Sequence, residues 1–171
     1  MEFYSLGVMS DSHEHIDEII IALDAFRRFG VDHIIHCGDI GSADAVRCFA
    51  DFKTTFVFGN NDFDKTELAE AVAEIGGVIQ EQPVCLDWHG KSVFFVHGHD
   101  GGIEKAENAF RSGDWDIVCH GHTHNFREER GENGALLLNP GALQNGEFCI
   151  VTADLSVRTF DTDEYLDEYL D

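Results

Sequence analysis

The stretch His36-Cys37-Gly38-Asp39 decides how the rest of the chain is interpreted. It follows the short apolar run Ile34-Ile35 and leads into a loop that begins Ile40-Gly41. This pattern predicts the carboxyl end of a buried parallel strand. In open α/β sheets, ligands bind at that edge. Asp39 therefore lies where a carboxylate can meet a ligand.

Four further blocks of polar side chains follow apolar, strand-like runs. They are Asp11-Ser12-His13, Gly59-Asn60-Asn61-Asp62, His97-Gly98-His99 and Gly121-His122-Thr123-His124. Any one block has an ordinary structural explanation, because an Asp after a strand often caps a helix and a Gly often serves a turn. Neither explanation calls for Asp, Asn and His side chains at five strand ends, so the set predicts a metal site.

Strands and helices alternate in the first half of the chain, which favours right-handed parallel crossovers. The apolar spacing predicts strands at 3–9, 34–37 and 54–58 and helices at 15–29, 42–52 and 65–75. The second half is richer in strands. It predicts hairpins at 84–96 and 126–138, a helix at 103–111, a strand at 116–119 and an antiparallel pair at 148–153 and 157–160.

The composition indicates one domain with a substantial core, since the chain has 171 residues of which 43% are hydrophobic. We assign residues 1–161 to this domain and residues 162–171 to an acidic C-terminal tail. Two states of the tail are left open, one disordered and one packed against a partner subunit. A homo-oligomer is likewise left open.

The charge balance of 11 basic and 33 acidic residues gives a net charge of −22. Such uniform acidity suggests a halophilic surface, because high salt screens the self-repulsion. A disordered acidic protein is excluded, since 14 Phe supply a core. Nucleic acid is not favoured as a partner, because no basic patch is present to displace counterions. A small phosphate ester remains possible as a substrate if metal ions supply positive charge.

The five cysteines form no CxxC pair and are odd in number, which is typical of reduced thiols in a cytoplasmic protein. The N-terminus opens directly into a strand-like run without a signal-peptide pattern. No apolar run is long enough to span a membrane. We therefore expect a cytoplasmic protein without a membrane partner.

The mixture of imidazole nitrogen and carboxylate oxygen favours a transition metal over Mg²⁺ or Ca²⁺. Seven candidate metal ligands exceed what one catalytic ion uses, so two ions fit better, and Asp39 is the natural bridging carboxylate. In an extended segment, His122 and His124 project to the same side, which would let one serve each ion. A hydroxide held between two such ions attacks phosphate esters near neutral pH, so the implied reaction is phosphate-ester hydrolysis.

The ordered blocks resemble those of the calcineurin-like metallophosphoesterases. Asp11-x-His13, Gly38-Asp39, Gly59-Asn60-x-Asp62, His97 and Gly121-His122-x-His124 carry the resemblance. More narrowly, the small single-domain branch of bacterial and archaeal phosphodiesterases is what His36-Cys37-Gly38-Asp39, Val96-His97-Gly98-His99 and Asn139-Pro140-Gly141 resemble.

The resemblance implies an α/β fold, a four-layer αββα sandwich of two mixed β-sheets flanked by helices. It also implies that Asp11, His13 and His124 bind a first ion with Asp39, and that Asn60, His97 and His122 bind a second ion with Asp39. The expected cofactors are two divalent transition-metal ions, of which Mn²⁺ is preferred and Fe, Ni or Zn are alternatives. The expected function is a phosphodiesterase.

Three departures bear on catalysis. Asn61 stands where many family phosphatases carry His, and an amide cannot protonate a leaving group. We therefore expect a preference for esters with good leaving groups, unless His99 supplies the proton; a purely structural role for His99 is left open. Ala142 replaces a family Ser and no Arg follows closely. We include Asp62 with His99 among the catalytic candidates, as a carboxylate that supports the metal ligands.

Two alternatives remain open. The small branch also resembles the scaffold subunit of the retromer coat, which uses the same fold to bind proteins. A scaffold has no physical need for all seven metal-binding side chains, so their presence here favours the enzyme. The other alternative is a nuclease or nucleotide-polyphosphate hydrolase, which fits the metals but lacks a basic groove.

Overall fold

The structure is a computed structural model that describes residues 3–170. Within this range the strands are β1 Ser5–Met9, β2 Val31–His36, β3 Thr54–Val57, β4 Val78–Gln80, β5 Val84–Trp88, β6 Lys91–Phe95, β7 Ile117–Cys119, β8 Arg127–Arg130, β9 Leu136–Asn139, β10 Glu147–Thr152 and β11 Val157–Asp161. The helices are α1 Ile16–Arg28, α2 Ala43–Arg47, α3 Lys65–Glu74, α4 Gly102–Ser112 and α5 Thr162–Tyr169, with a short 3₁₀ helix at Leu143–Asn145.

The strands form two mixed sheets. The first has the order β11-β10-β1-β2-β3-β4, in which β1 to β4 run parallel and β10 and β11 complete an antiparallel edge. The second has the order β5-β6-β7-β9-β8, in which β6, β7 and β9 run parallel. The carboxyl ends of the parallel strands of each sheet therefore share an edge.

Three buried clusters show how the layers stack. One packs α1, α2, α3 and α5 onto the first sheet and includes Phe26, Phe49 and Phe56. A second lies between the two sheets, where the alternate face of β1 and β2 meets β6 and β7. A third packs α4 against the second sheet through Ala106 and Val118. The predicted four-layer αββα sandwich is confirmed.

Local sequence explains where the helices begin and end. In α1 the buried positions Ile19, Leu23 and Phe26 recur at helical spacing. Gly30, with φ of 68°, follows the helix in the left-handed region that glycine adopts without steric cost. In α3 the side chain of Asp64 accepts a hydrogen bond from the backbone N–H of Glu67 and so caps the helix.

Two segments differ from the sequence prediction. The helix predicted at 42–52 ends after Arg47 and continues as turns, because the chain must reach the start of β3 within a few residues. Most of the segment assigned to an acidic tail forms α5, which packs against α1. Tyr165 of α5 is buried, and its hydroxyl donates to Asp24 at 2.6 Å. Thr162, Tyr165 and Tyr169 recur at helical spacing among the acidic residues, which explains why this segment forms a helix.

Among residues 3–170, no helix combines the length and the apolar character needed to cross a membrane. The five cysteines are free thiols. Cys37, Cys119 and Cys149 are buried, Cys48 is half-buried and Cys85 is exposed.

Candidate metal centre

The seven predicted metal ligands come together at the carboxyl edge of the two sheets. The loops after β1, β2 and β3 carry Asp11 with His13, Asp39 and Asn60, and the loops after β6 and β7 carry His97 and the pair His122 and His124. The packing of one sheet on the other brings the two sets of loops face to face. Residues more than one hundred positions apart in sequence thus share one site.

The first donor group consists of Asp11, His13 and His124. The Asp11 Oδ1 atom lies 3.3 Å from His124 Nε2 and 3.8 Å from His13 Nε2. The His13 Nε2 atom lies 3.4 Å from Asp39 Oδ2. Asp11 is fully buried, whereas the side chains of His13 and His124 are 25% and 34% exposed. This group therefore opens toward solvent on its histidine side.

The second donor group consists of Asn60, His97 and His122. The His97 Nε2 atom lies 2.9 Å from Asn60 Oδ1 and 3.2 Å from His122 Nδ1, and the last two atoms are 3.2 Å apart. The His97 Nε2 atom also lies 3.4 Å from Asp39 Oδ2. Asp39 Oδ2 is thus at the same distance from one imidazole nitrogen of each group.

The spacing of these atoms fits metal ions. Donor atoms that bind one ion at about 2.0–2.2 Å lie about 3.0–3.5 Å from one another. Asp11 Oδ1 and His13 Nε2 are buried atoms without a hydrogen-bond partner in the described part of the chain. Buried polar atoms of that kind carry a free-energy penalty unless something satisfies them, and a cation between them would do so.

The tautomer of His97 supports the same interpretation. Its Nδ1 atom lies 2.8 Å from the carbonyl oxygen of Cys37, which can only accept a hydrogen bond. Nδ1 therefore carries the proton, and in the neutral ring Nε2 presents a lone pair to Asn60 Oδ1 and Asp39 Oδ2. Orientation of a metal-binding histidine by a hydrogen bond to its other nitrogen is usual.

The electrostatics of the protein without metal are consistent with a cation site. Burial lowers the pKa of His97, but the hydrogen bond and charge of Asp39 outweigh it and raise the pKa above its ordinary value. Burial raises the pKa of Asp39, but hydrogen bonds from His97 and Asn61 lower it well below its usual range. The pair therefore favours a positive charge beside the Asp39 carboxylate.

Asp62 joins two of the loops by backbone hydrogen bonds. Its Oδ2 atom accepts from the N–H groups of Asp39 at 2.9 Å and Gly59 at 2.7 Å, and its Oδ1 atom accepts from Ile40 at 2.8 Å and Gly41 at 3.4 Å. Burial raises its pKa, and the backbone N–H groups partly offset that shift. Both oxygens face the backbone, so Asp62 fixes the loop of Asp39.

The backbone around the donor atoms is unusual. Five of the seven candidate metal ligands have positive φ, namely Asp11 (54°), His13 (42°), Asp39 (57°), His122 (70°) and His124 (61°). The expectation that His122 and His124 project from an extended segment is therefore wrong, since the segment is a series of bends. The two side chains nevertheless lie in different groups, since His124 Nε2 faces Asp11 Oδ1 whereas His122 Nδ1 faces Asn60 and His97.

Glycines allow this close packing of loops. A Cβ atom at Gly59 would fall on the carboxylate and amide of Asp39, and one at Gly121 would fall on Ser10 and 2.7 Å from Asp11 Oδ2. Both contacts are shorter than real Cβ atoms show. These glycines let the loops approach the carboxylates of Asp11 and Asp39.

His99 and Asn61 lie beside the candidate metal ligands. The ring centroids of His99 and His97 are 5.5 Å apart, and His99 Nδ1 is buried without a partner among the described residues. Asn61 donates from its backbone at 2.9 Å to one Asp39 oxygen and from its side chain at 2.9 Å to the other. In this structure Asn61 therefore steadies Asp39.

Gln82 and Gln144 hold loops of the site in place, and neither residue is marked by the sequence pattern. Gln82 accepts from the N–H groups of His97 and Gly98, both at 3.1 Å, and donates to the His99 carbonyl at 2.8 Å. Gln144 contacts His124 Nδ1 at 3.0 Å. Gln144 lies two residues after Ala142, beyond the recognised Asn139-Pro140-Gly141 block, whereas nothing near Gln82 in the sequence marks its role.

Three further histidines, His36, His120 and His33, are buried and contact polar groups of the protein. His36 contacts Ser12 Oγ at 2.9 Å and accepts from the N–H of Gly38 at 3.1 Å, so it supports the loops of Asp11 and Asp39. His120 contacts the Gly121 carbonyl at 3.0 Å. His33 is a buried residue of β2 that contacts Thr55 Oγ1 at 2.9 Å.

Comparisons with known proteins agree with this geometry. The family model described as the calcineurin-like phosphoesterase superfamily domain matches residues 4–162. A phosphodiesterase of Methanocaldococcus jannaschii is 32% identical over 139 residues, which cover 80% of this chain and 82% of that protein.

Two solved structures extend the comparison. A novel archaeal phosphodiesterase superposes with a TM-score of 0.83 at 28% identity, covering 92% of this chain and 99% of that one. Vacuolar protein sorting 29 from Cryptosporidium parvum superposes with a TM-score of 0.63 at 17% identity, covering 93% and 91%. The second similarity shows a shared fold alone. The resemblance seen in the sequence is confirmed, and the chain belongs to the calcineurin-like phosphoesterase superfamily.

Proposed function

We propose that this phosphoesterase hydrolyses phosphodiesters at a two-metal centre in which Asp39 bridges the ions. The observation that carries the proposal is the position of Asp39 Oδ2, 3.4 Å from His13 Nε2 on one side and 3.4 Å from His97 Nε2 on the other. A carboxylate oxygen midway between two sets of nitrogen and oxygen donors is what a pair of ions requires.

Each donor group completes one half of the centre. Asp11, His13 and His124 would hold one ion, and Asn60, His97 and His122 the other. When bound, such ions supply an activated hydroxide as nucleophile and positive charge for the phosphoryl oxygens. The mixed nitrogen and oxygen donors favour a transition metal, and we propose Mn²⁺, with Fe, Ni and Zn as the alternatives.

The chain's own residues favour a diester with a good leaving group. Asn61 is bonded to Asp39 and has no proton to transfer. A leaving group of low pKa departs without protonation, as an aryl alcohol does. The names of the two phosphodiesterase relatives point to the same substrate class.

His99 is the side chain that we assign as proton donor for less favourable leaving groups. Its ring lies beside His97, and the unpaired Nδ1 atom leaves it free to exchange partners when substrate binds. Asp62 acts at a distance, by fixing the backbone N–H groups of Asp39 and Gly59.

The substrate is a small anionic ester whose charge is met by the metal ions. Several of the cationic side chains are already paired with carboxylates, as Arg47 is with Asp44, Lys65 with Glu81 and Arg127 with Glu129. With a net charge of −22, the surface as a whole repels polyanions. This favours a small diester over nucleic acid.

The test compares hydrolysis of a bis-aryl phosphodiester with that of the matching monoester by metal-stripped protein in molar KCl. We expect diester turnover to appear when Mn²⁺ is added, to exceed monoester turnover, and to vanish in Asp39→Asn. Asp100→Asn, an exposed residue outside the donor groups, is the matched control and should keep the activity. Folded protein that binds no Mn²⁺ and hydrolyses neither ester would refute the enzyme and favour the scaffold alternative.

A further inference from the structure

Gln144 occupies a position that connects the two ends of the first donor group. It lies in the 3₁₀ helix Leu143–Asn145 that follows β9. The backbone N–H of Leu143 donates to the Ser10 carbonyl at 2.8 Å, and that of Gln144 donates to the Asp11 carbonyl at 3.1 Å. The helix is therefore fixed to the loop that carries Asp11.

The side chain of Gln144 reaches the other end of the group. The Nε2 atom of its side-chain amide lies 3.0 Å from His124 Nδ1, while His124 Nε2 faces Asp11 Oδ1 at 3.3 Å. One residue thus holds the Asp11 backbone and the His124 ring at once. His124 needs such support more than His97 does, because its side chain is 34% exposed and that of His97 is fully buried.

The chemistry of imidazole gives this contact a consequence. A neutral histidine that binds metal through Nε2 must carry its proton on Nδ1, and that proton needs an acceptor. A glutamine amide provides an oxygen for this purpose after a half-turn about its last bond, which leaves its shape unchanged. In that arrangement Gln144 fixes both the tautomer and the orientation of His124.

We propose that Gln144 is a positioning residue for the first metal ion, acting through His124. The proposal rests on the proposed function, because it assumes that Asp11, His13 and His124 bind metal. It adds a residue outside the seven candidate ligands and assigns it to one of the two donor groups.

The experiment measures the number and affinity of bound Mn²⁺ by electron paramagnetic resonance of stripped, full-length protein, without reference to turnover. We expect Gln144→Leu to weaken one of the two sites by about 10- to 100-fold and to leave the other unchanged. Gln144→Glu retains an acceptor for the Nδ1 proton and should restore the weakened site. Asn145→Leu, at the exposed neighbouring position, should bind both ions as the original protein does.

A second readout follows the tautomer directly. Long-range nitrogen–proton NMR spectra of the Zn²⁺-loaded protein should show the His124 proton on Nδ1, and that proton should exchange with solvent faster in Gln144→Leu, where it has no acceptor. Two full-affinity sites in Gln144→Leu would overturn the inference, as would equal weakening of both sites, which indicates a general effect on the fold. If the unmodified protein binds no Mn²⁺, the two-metal proposal itself is refuted.

Discussion

Replacing Asp62 with Asn should loosen the loops on which Asp39 and Asn60 are carried. Asp62 is 2% exposed, and its two oxygens accept four backbone hydrogen bonds between 2.7 and 3.4 Å. An asparagine keeps one oxygen and places an NH₂ group against the two remaining N–H donors. If the oxygen stays with Asp39 and Gly59, the N–H groups of Ile40 and Gly41 lose their acceptor.

The magnitude follows from these bonds. A hydrogen bond to a charged acceptor contributes about 1.5–3 kcal/mol, and a buried donor left without a partner costs about 1–3 kcal/mol more. For the one short bond that is lost, at 2.8 Å to Ile40, the sum is about 2.5–6 kcal/mol. With a urea dependence of about 2 kcal/mol per molar, the unfolding midpoint should fall by about 1–3 M.

The assay is urea unfolding of the metal-free protein at constant KCl, followed by circular dichroism. Asp64→Asn is the matched control, because it makes the same chemical change two residues away. Asp64 caps α3 through one backbone N–H, and Asn caps as well as Asp, so its midpoint should move little. Equal midpoints for the two variants would show that Asp62 does not hold the loops together.

Three further predictions concern other parts of the molecule. Burial lowers the pKa of His33 to about 4, so below about pH 6.5 the unfolded state binds more protons than the folded state, and stability falls as the pH falls. The free energy of unfolding should be about 2 kcal/mol lower at pH 5 than near neutral pH. His33→Gln should lose that difference when urea unfolding is compared at these two pH values. Gly59→Ala puts a Cβ atom on Asp39 and should abolish Mn²⁺ binding measured by paramagnetic resonance, whereas Gly90→Ala, in an open turn, should bind normally. His99→Gln should slow hydrolysis of dialkyl diesters, which must release an alkoxide, by about 100-fold and leave bis-aryl diesters nearly unchanged; equal slowing of both would contradict its role as proton donor.

Much of the fold follows from local sequence. The apolar spacing of α1 and the β-branched run Thr54–Val57 each indicate one kind of element, and the polar blocks mark the strand ends that share an edge. The seven candidate ligands can therefore be predicted as a group, because the chemistry of a metal site requires a residue composition that core packing does not.

Contacts between distant segments could not be predicted in this way. Gln82 binds the loop of His97 and Gln144 binds His124, and an isolated glutamine carries no pattern that reveals its partner. The positive φ angles of His122 and His124 could not be predicted either, because they depend on the neighbouring loops rather than on the residues themselves. The same holds for Tyr165, whose burial depends on α1.

The residues with positive φ at the candidate metal centre bear on which substitutions such a chain would accept during evolution. Each non-glycine residue with positive φ costs about 1 kcal/mol relative to glycine. Asp11, Asp39 and His122 keep that conformation together with the carboxylate and imidazole groups of the candidate metal centre. If these side chains bind metal as proposed, a descendant that no longer used metals would gain stability from glycine at these positions without losing a function. Under the proposed function, the need to hold metal is therefore what opposes a steady drift of this edge toward glycine.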